Sequence, residues 1–461
     1  MVLRFNKIKK LHMVGIGGSG MSGIAEILLN MGYPVSGSDL ADSPVVDRLK
    51  KLGALVSIGH KSENLNNCDA VIISSAVSAD NPEVMAAIQL KLPVIRRAEM
   101  LGELMRVKYG IAIAGTHGKT TTTSMVGTVL SEAGLDPTII VGGILSKLGS
   151  SARMGHSDYL VAEADEYDRS FLDLIPSIAV ITNLEPEHME CYADFNDLRG
   201  AFLQFANRVP FFGRVIICLD DPTLQEMYGD FKRNTLTYGL LPHADINARN
   251  LRFSPNGSIS EVYIGKTLAG ELRLQVIGQH NVKNALAALG VALELDISFD
   301  AARNALESFT GVRRRFELKG SINGIDIYDD FAHHPTELNA TIKAIRNSFK
   351  RRLVVIFQPH LYSRTRSFYK QFGAVLMEAD KVIVTNIYPS REKPVPGIDG
   401  KMIADVLISL GHTDFKYIPN MDEIPRILAG ELLEGDIVIT VGAGNIARVG
   451  TALLEVLRSN G

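Results

Sequence analysis

The chain has 461 residues, 46% of them hydrophobic and 21% charged, with a formal net charge of -3. That length exceeds what one hydrophobic core usually serves, so two or three domains are expected. The slightly acidic balance offers no basic excess for a phosphate backbone, which argues against a nucleic-acid partner.

Cys68, Cys191 and Cys218 are scattered without a C-x-x-C spacing. They speak for a reducing compartment and against a disulfide framework or a zinc site. At the N-terminus, "RFNKIKK" leads into "LHMVGI", but His12 and then Gly15, Gly17, Gly18 and Gly20 break the apolar run. It is too short and too polar for an export signal, and no stretch approaches the ~18 apolar residues of a membrane span. The expectation is a cytoplasmic protein with no membrane partner, monomeric or a weak homodimer.

Short β-branched runs followed by helical stretches fill the chain in three series. "LHMVGI", "PVSGSD" and "AVIISSAV" form the first, up to about Arg106. "GIAIAG", "TIIVGG", "YLVAEAD", "IAVITN" and "RVIICLD" form the second, up to about Arg314. "GIDIYDD", "RLVVIFQ", "KVIVTN" and "DIVITVGAG" form the third. Apolar strands alternating with helices imply parallel sheets covered on both faces. The predicted fold is therefore three consecutive α/β domains, 1–106, 107–314 and 315–461. The first and last read as Rossmann-like and the centre as P-loop ATPase-like. Between Thr237 and Gln275, "INARNLRFSPNGSISEVYIG" carries an Asn-Gly turn between alternating runs, which predicts a small antiparallel piece inside the central domain.

Gly15, Gly17 and Gly20 fit G-x-G-x-x-G after a strand and before the helix "MSGIAEILLNMG", with Asp39 about 20 residues on at the end of the next strand. Such glycines let a pyrophosphate approach the backbone, and the helix N-terminus supplies free N–H groups. A second loop, "GTHGKT", opens another helix after "IAIA". Lys119 there can reach β- and γ-phosphates, and Thr120 can sit on Mg²⁺. Ile113 stands where the common P-loop has its first glycine, and Gly115 leaves room for a compact cradle. One loop suits a nucleoside triphosphate with its metal; the other suits a bound diphosphate that need not react.

"VAEADEYD" sets Glu163, Asp165, Glu166 and Asp168 at a strand end, and "ITNLEPEH" does so for Glu185, Glu187 and His188. Carboxylates at the carboxyl ends of parallel strands lie in the usual ligand crevice, and Mg²⁺ needs only one or two of them beside Thr120. Asp165, Asp168 and Glu187 read as caps or solvated groups. In the third region, only one of the adjacent Arg313, Arg314 and Arg315 is expected to be functional, because neighbours rarely face one groove. His333 and His334 precede Pro335, which opens the helix "TELNATIKAI". They could merely cap it, but Asp329, Asp330, His360 and Arg364 at other strand ends argue for a site.

The motifs "GIGGSGMSGIAE", "AGTHGKTTTTS", "EADEYD", "TNLEPEH", "GQHNVKNALAA", "GVRRRFE", "HHPTE" and "FQPHLYSRT", in this order and nearly end to end, resemble the Mur ligases. These are ATP-dependent amide-forming enzymes of peptidoglycan precursor synthesis. The last two motifs point to the branch that adds L-alanine to UDP-N-acetylmuramate through an acyl phosphate. The resemblance implies that Gly15, Gly17, Gly18, Ser19 and Gly20, with Asp39 and Ser74, hold the UDP. Gly115, Thr116, His117, Gly118, Lys119, Thr120 and Thr121 would hold ATP. Thr120, Glu163 and His188 would hold Mg²⁺, while His280, Asn281 and Asn284 would touch adenine. Arg315 and Asp329 would reach ATP, and His333, His360 and Arg364 would face the lactate and the alanine. Lys119, His188, His333 and Arg364 would then form the catalytic set, with His333 as base.

Three departures from the family pattern stand out. Phe331 occurs where the alanine-adding branch often has tyrosine, and "DDFAHHPT" is equally typical of the related ligase that recycles the murein tripeptide. Leu361 occupies a place that can be basic. No lysine lies between Lys147 and Lys232, so a carbamoylated lysine cannot hold a second metal, and Glu163 and His188 are left with that work. The tripeptide ligase is the nearest rival reading. An NAD-dependent oxidoreductase would leave "GTHGKT" unexplained, and a non-catalytic UDP-sugar sensor would bind or hydrolyse ATP without forming an amide.

Overall fold

The structure, a computed structural model, describes residues 8–145 and 150–459 apart from positions 75 and 391. The first series of β-branched runs becomes β1 (Leu11–Val14), β2 (Val35–Asp39), β3 (Leu55–Ile58), β4 (Ala70–Ile73) and β5 (Val94–Arg96). They order as β3-β2-β1-β4-β5, and every neighbouring pair is parallel. Strand order reverses at β1, which is buried along its length and delivers the chain into the helix Ser19–Asn30. Ligands of doubly wound sheets bind at such a switch point.

The second series builds a ten-stranded sheet. Its strands are β6 (Tyr109–Ala114), β7 (Thr138–Leu145), β8 (Ser150–Arg153), β9 (Tyr159–Glu163), β10 (Ile178–Ile181), β11 (Arg214–Cys218), β12 (Thr235–Gly239), β13 (Ile246–Ser254), β14 (Gly257–Ile264) and β15 (Thr267–Leu274). They order as β15-β14-β13-β12-β11-β10-β6-β9-β7-β8. β6 is central, parallel to β9 on one side and β10 on the other. The stretch expected as a small antiparallel piece inside the central domain forms β13–β15, which extend one edge of this sheet. β13 runs parallel to β12 through Tyr238↔Ile246, because the open edge of β12 presents backbone groups that need partners.

The third series gives β16 (Glu317–Ile322), β17 (Ile325–Asp330), β18 (Leu353–Phe357), β19 (Lys381–Val384), β20 (Phe415–Tyr417) and β21 (Ile437–Val441), ordered β16-β17-β21-β18-β19-β20. Only the β16–β17 hairpin is antiparallel. β18 and β21 are buried throughout, as central strands covered on both faces must be.

By compactness the chain forms two units. One runs to Leu251 and adds Ile259–Leu274 and Asn281–Phe309, so it holds the first two sheets; the other comprises Arg252–Ser258, Gln275–His280 and the chain from Thr310, with the third sheet. Within the first unit, the helix Arg97–Arg106 packs on the segment Tyr167–Asp173. A Cβ at Gly102 would stand 2.4 Å from the Asp173 carbonyl oxygen. Backbone cannot swing aside there, so Gly102→Ala is expected to cost about 1–3 kcal/mol. Urea unfolding of the single variant checks this.

Candidate active site

The first loop is braced by the strand beside it. Gly15 turns the chain at φ 74°, and the N–H groups of Gly15 and Ile16 donate to the Ser38 carbonyl at 2.8 and 3.0 Å. Gly17 N–H donates to Asp39 Oδ2 at 2.8 Å, and a Cβ on Gly17 would crowd that same oxygen at 2.9 Å. Asp39 therefore shapes the loop. Gly18 N–H closes a turn onto the Gly15 carbonyl at 3.1 Å. A Cβ on Gly20 would meet the Arg97 guanidinium at 3.0 Å, and the Ser74 hydroxyl lies 3.6 Å from the Cβ position of Gly15. The Ser19 side chain lies outside the described residues.

The second loop is latched from the end of β10. Asn183 accepts Thr116 N–H on its carbonyl at 3.1 Å and His117 N–H on Oδ1 at 2.8 Å. Its amide and the Thr182 hydroxyl both donate to the His117 carbonyl, at 3.0 and 2.6 Å. Gly115 sits at φ 128°, where a Cβ would fall 2.1 Å from Thr182 Oγ1. Gly118 takes φ 83° and caps the helix Lys119–Glu132, a left-handed residue that leaves the first N–H groups open to an anion. On the other side, the Thr122 hydroxyl donates to Asn284 Oδ1 at 3.2 Å, and the Asn284 amide donates to Asn281 at 3.3 Å. His280 comes one residue earlier, against Gly278.

Lys119 folds back over this loop. Its Nζ donates to the Gly115 carbonyl at 2.6 Å and the Thr116 carbonyl at 3.3 Å, and pairs with Glu166 Oε2 at 2.6 Å. Burial pulls the ammonium down, but Glu166 and then Asp165 outweigh it and hold its pKa above the ordinary lysine value. Glu166 is 1% exposed, and its Oε1 has no hydrogen-bond partner among the described residues. Glu163 ends β9 nearby, with Oε2 at 2.8 Å from the Cβ position of Gly142. His188 takes φ 56° and packs its ring edge-on to Tyr167 at 5.1 Å. Glu163, the open Glu166 oxygen and the Thr120 hydroxyl are hard oxygen donors, the chemistry that magnesium takes. Asp165 Oδ1 accepts Tyr167 N–H at 3.1 Å, a capping role, and Asp168 is exposed.

In the second unit, Arg314 pairs with the fully buried Asp329 at 2.9 Å and donates to the carbonyls of Gly442 and Gly444 at 2.7 and 3.1 Å. The Thr440 hydroxyl takes the other Asp329 oxygen at 2.7 Å. Adjacent arginines rarely face one groove, and this turn is one of those rare cases. The Arg314 and Arg315 guanidinium groups both lie over the Phe331 ring, 4.9 and 5.3 Å from its centre. A turn with Arg314 at φ 58° and Phe316 at φ 50° brings them together, while Arg313 is exposed.

His334 caps the helix Pro335–Ser348 in a reciprocal box with Glu337. His333 Nδ1 lies 3.0 Å from the Phe331 carbonyl and 3.1 Å from Glu337 Oε2. Its ring meets the His360 ring edge-on at 5.7 Å. Arg364, 7% exposed, donates to His360 Nδ1 at 3.2 Å, and His360 stacks on Tyr388. His333, His360 and Arg364 thus form one cluster. Leu361 is buried at φ 65°, an unusual backbone for leucine.

The Mur ligase family's catalytic-domain description matches residues 10–109, its middle domain 113–292 and its glutamate ligase domain 314–444. The chain belongs to the Mur ligase family. It is 50% identical over 454 residues to the UDP-N-acetylmuramate–L-alanine ligase of Syntrophus aciditrophicus, covering 98% of this chain and 94% of that one. Identity to the ligase of the same name from Geotalea uraniireducens is 49% over 456 residues, covering 99% and 100%. Among solved structures, a UDP-N-acetylmuramate–alanine ligase from Thermotoga maritima matches with TM-score 0.84 at 30% identity, covering 98% of this chain and all of that one. A murein peptide ligase from Psychrobacter arcticus matches with TM-score 0.71 at 25% identity, covering 97% and 98%.

Sequence reasoning passed over three residues that shape this Mur ligase's loops. Glu166 was one of four acids in "VAEADEYD", and nothing in the string says which one turns inward. Asn183 sits in "TNLEPEH" at a strand end facing the phosphate loop, which was a usable signal. Arg314 was hidden by its two arginine neighbours.

Two predictions follow from burial. Lys119→Ala strands the Glu166 carboxylate, so it is expected to lose about 3–5 kcal/mol of stability. The double variant with Glu166→Gln should recover much of that, as a chemical-denaturation cycle would read. Burial also pushes Asp330 up to about 6, against the pull of Arg315 and of the Ala332 and Phe316 N–H groups. A raised carboxyl opposes folding once ionised, so its contribution to stability declines as pH rises from about 4 to 6. A carbon-detected carboxyl titration should place Asp330 near pH 6 and move it higher in Arg315→Ala; a midpoint near 4 would contradict this.

Proposed function

We infer that this chain joins L-alanine to the lactate carboxylate of UDP-N-acetylmuramate, with ATP split to ADP and phosphate, in peptidoglycan precursor synthesis. What carries the reading is end-to-end likeness, at about half identity, to ligases of that name, in a chain whose Lys119 loop is built for a triphosphate. A carboxylate does not condense with an amine unaided, since its carbonyl is unreactive and oxide is a poor leaving group. Transfer of the γ-phosphoryl group to the lactate oxygen gives an acyl phosphate. The neutral alanine amine then attacks the acyl carbon, the C–O bond to phosphate breaks, and the amine proton is lost.

Phosphoryl transfer is mostly positioning and charge neutralisation. The N–H groups from Gly118 to Thr121, at the helix start, would cradle the phosphates, with those of Thr116 and His117 spent on Asn183, and Lys119 would exchange Glu166 for the β- and γ-oxygens. Thr120, Glu163 and His188, joined by Glu166, would hold magnesium, which when bound neutralises charge on the phosphates. Asn281 and Asn284, with His280, would meet adenine. Asp329 would act through Arg314, because its own oxygens are already taken, and Arg315 would reach the nucleotide.

His333 is assigned as base on hydrogen-bond grounds. A carbonyl only accepts, so Nδ1, 3.0 Å from the Phe331 oxygen, carries the ring proton and leaves Nε2 basic. Arg364 would hold a substrate carboxylate, with His360 steadying its guanidinium. The first loop, with Asp39 and Ser74, would anchor UDP. We place the enzyme in the cytoplasm, as a monomer or weak homodimer; no helix among the described residues is long and apolar enough to cross a membrane.

The second reading, a tripeptide-recycling ligase, draws on Phe331 and on the Psychrobacter arcticus match. Phosphate release with UDP-N-acetylmuramate decides between them. L-alanine is expected to support turnover at least tenfold faster than the murein tripeptide, and the reverse order would install the recycling reading. In the same assay Lys119→Ala is expected to lose more than a hundredfold in turnover, about 3–4 kcal/mol of transition-state stabilisation.

A further inference from the structure

One ionised group beside the first sheet has no part in the chemistry above. Glu83, on the helix Pro82–Gln89, is 0% exposed. Its Oε2 accepts the Ser38 hydroxyl at 2.6 Å and lies 3.5 Å from both His12 Nε2 and His60 Nδ1. Its Oε1 accepts the Asn64 amide and, at 3.3 Å, the Lys61 N–H. Burial alone would raise this carboxyl, but the His12 ring beside it and the hydrogen bonds from Ser38 and Asn64 prevail and bring it to about 2. A charge kept in a core usually costs several kcal/mol unless well compensated. Its persistence here calls for a reason.

Counting protons supplies one. Ser38 has a single hydroxyl proton, and an ionised carboxylate can only accept, so that proton points at Glu83. The Ser38 oxygen, 2.9 Å from His60 Nδ1, is then left as an acceptor, and Nδ1 must carry a hydrogen. In the neutral ring, Nε2 is therefore a lone pair. His60 stands just beyond β3, after Gly59, whose N–H is bonded to the Asp39 carbonyl at 2.8 Å. Its side chain is 15% exposed. The phosphate loop follows β1 and the ribose-facing acid ends β2, so the base of a bound nucleotide extends over the β2–β3 side, where His60 stands.

We propose that Glu83, acting through Ser38, fixes His60 as its Nδ1–H tautomer, so that Nε2 accepts a hydrogen bond from a ring N–H of the nucleotide base and selects uracil over cytosine. Uracil offers N3–H, whereas cytosine presents a lone pair at N3 that would face another lone pair. Leaving a polar atom unmatched in this way is a strong discriminator. Glu83 and Ser38 are positioning residues; His60 is the reader. The inference rests on the sugar-nucleotide reading of the first loop.

Calorimetric titration with UDP and with CDP tests it on the whole chain. Wild type should bind UDP at least tenfold tighter than CDP. Glu83→Gln and Ser38→Ala should each bring that ratio within threefold, with ATP affinity changed less than twofold. In a His60→Ala background, Glu83→Gln should not alter the ratio further. Nitrogen NMR of the His60 ring should show Nδ1 protonated in wild type and a tautomer mixture in Ser38→Ala. A UDP-to-CDP ratio kept in both positioning variants would overturn the proposal, whatever happens to their melting temperature. If wild type bound neither diphosphate, the sugar-nucleotide reading would fall and the selectivity with it, while the NMR result would still report on the relay.

Discussion

A buried ion pair between Lys119 and Glu166 organises the catalytic half of this protein. The lysine is held charged, folded over the loop it belongs to, and turned away from solvent by a carboxylate at the end of the neighbouring strand. Such a pair is expensive to form and more expensive to break by halves. It keeps a cation beside the helix start at Gly118 and Lys119 with its charge already compensated, and in the proposed function phosphate takes the carboxylate's place. Gly115, Gly118 and Asn183 all serve that arrangement: the glycines allow the close turn, and the asparagine pins it to β10.

The two glycine loops solve different problems. The first is braced from within its own sheet, by the Ser38 carbonyl and the Asp39 carboxylate, and no lysine is bound into it. It suits a diphosphate that is held but not cleaved. The second carries a paired cation, oxygen donors at the end of β9 and a helix N-terminus opened by a left-handed glycine. It suits a triphosphate that reacts. That division explains why one chain needs both, and why the acids concentrate around the second.

Much of this was legible in the sequence, and the exceptions share a cause. Strand and helix alternation, the three sheets and both loops follow from periodicity and glycine spacing, which are local. The β13–β15 segment was legible as a piece of the central domain, but its turn and alternation do not say which sheet edge it joins. Arg314 and Arg315 were treated as competitors because regular periodicity separates neighbours, whereas two left-handed residues bring both onto Phe331. Glu166 could not be picked from four nearby acids, because the choice is made by burial against Lys119, a residue far away in sequence. The Glu83 relay was invisible for the same reason.

The exchange of partners by Lys119 is the step on which the account stands. A crystal structure with a non-hydrolysable ATP analogue measures it directly. The lysine Nζ is predicted within about 3 Å of a β- or γ-phosphate oxygen and beyond about 3.5 Å from Glu166. Nucleotide seated in the loop with Lys119 still paired to Glu166 would contradict it.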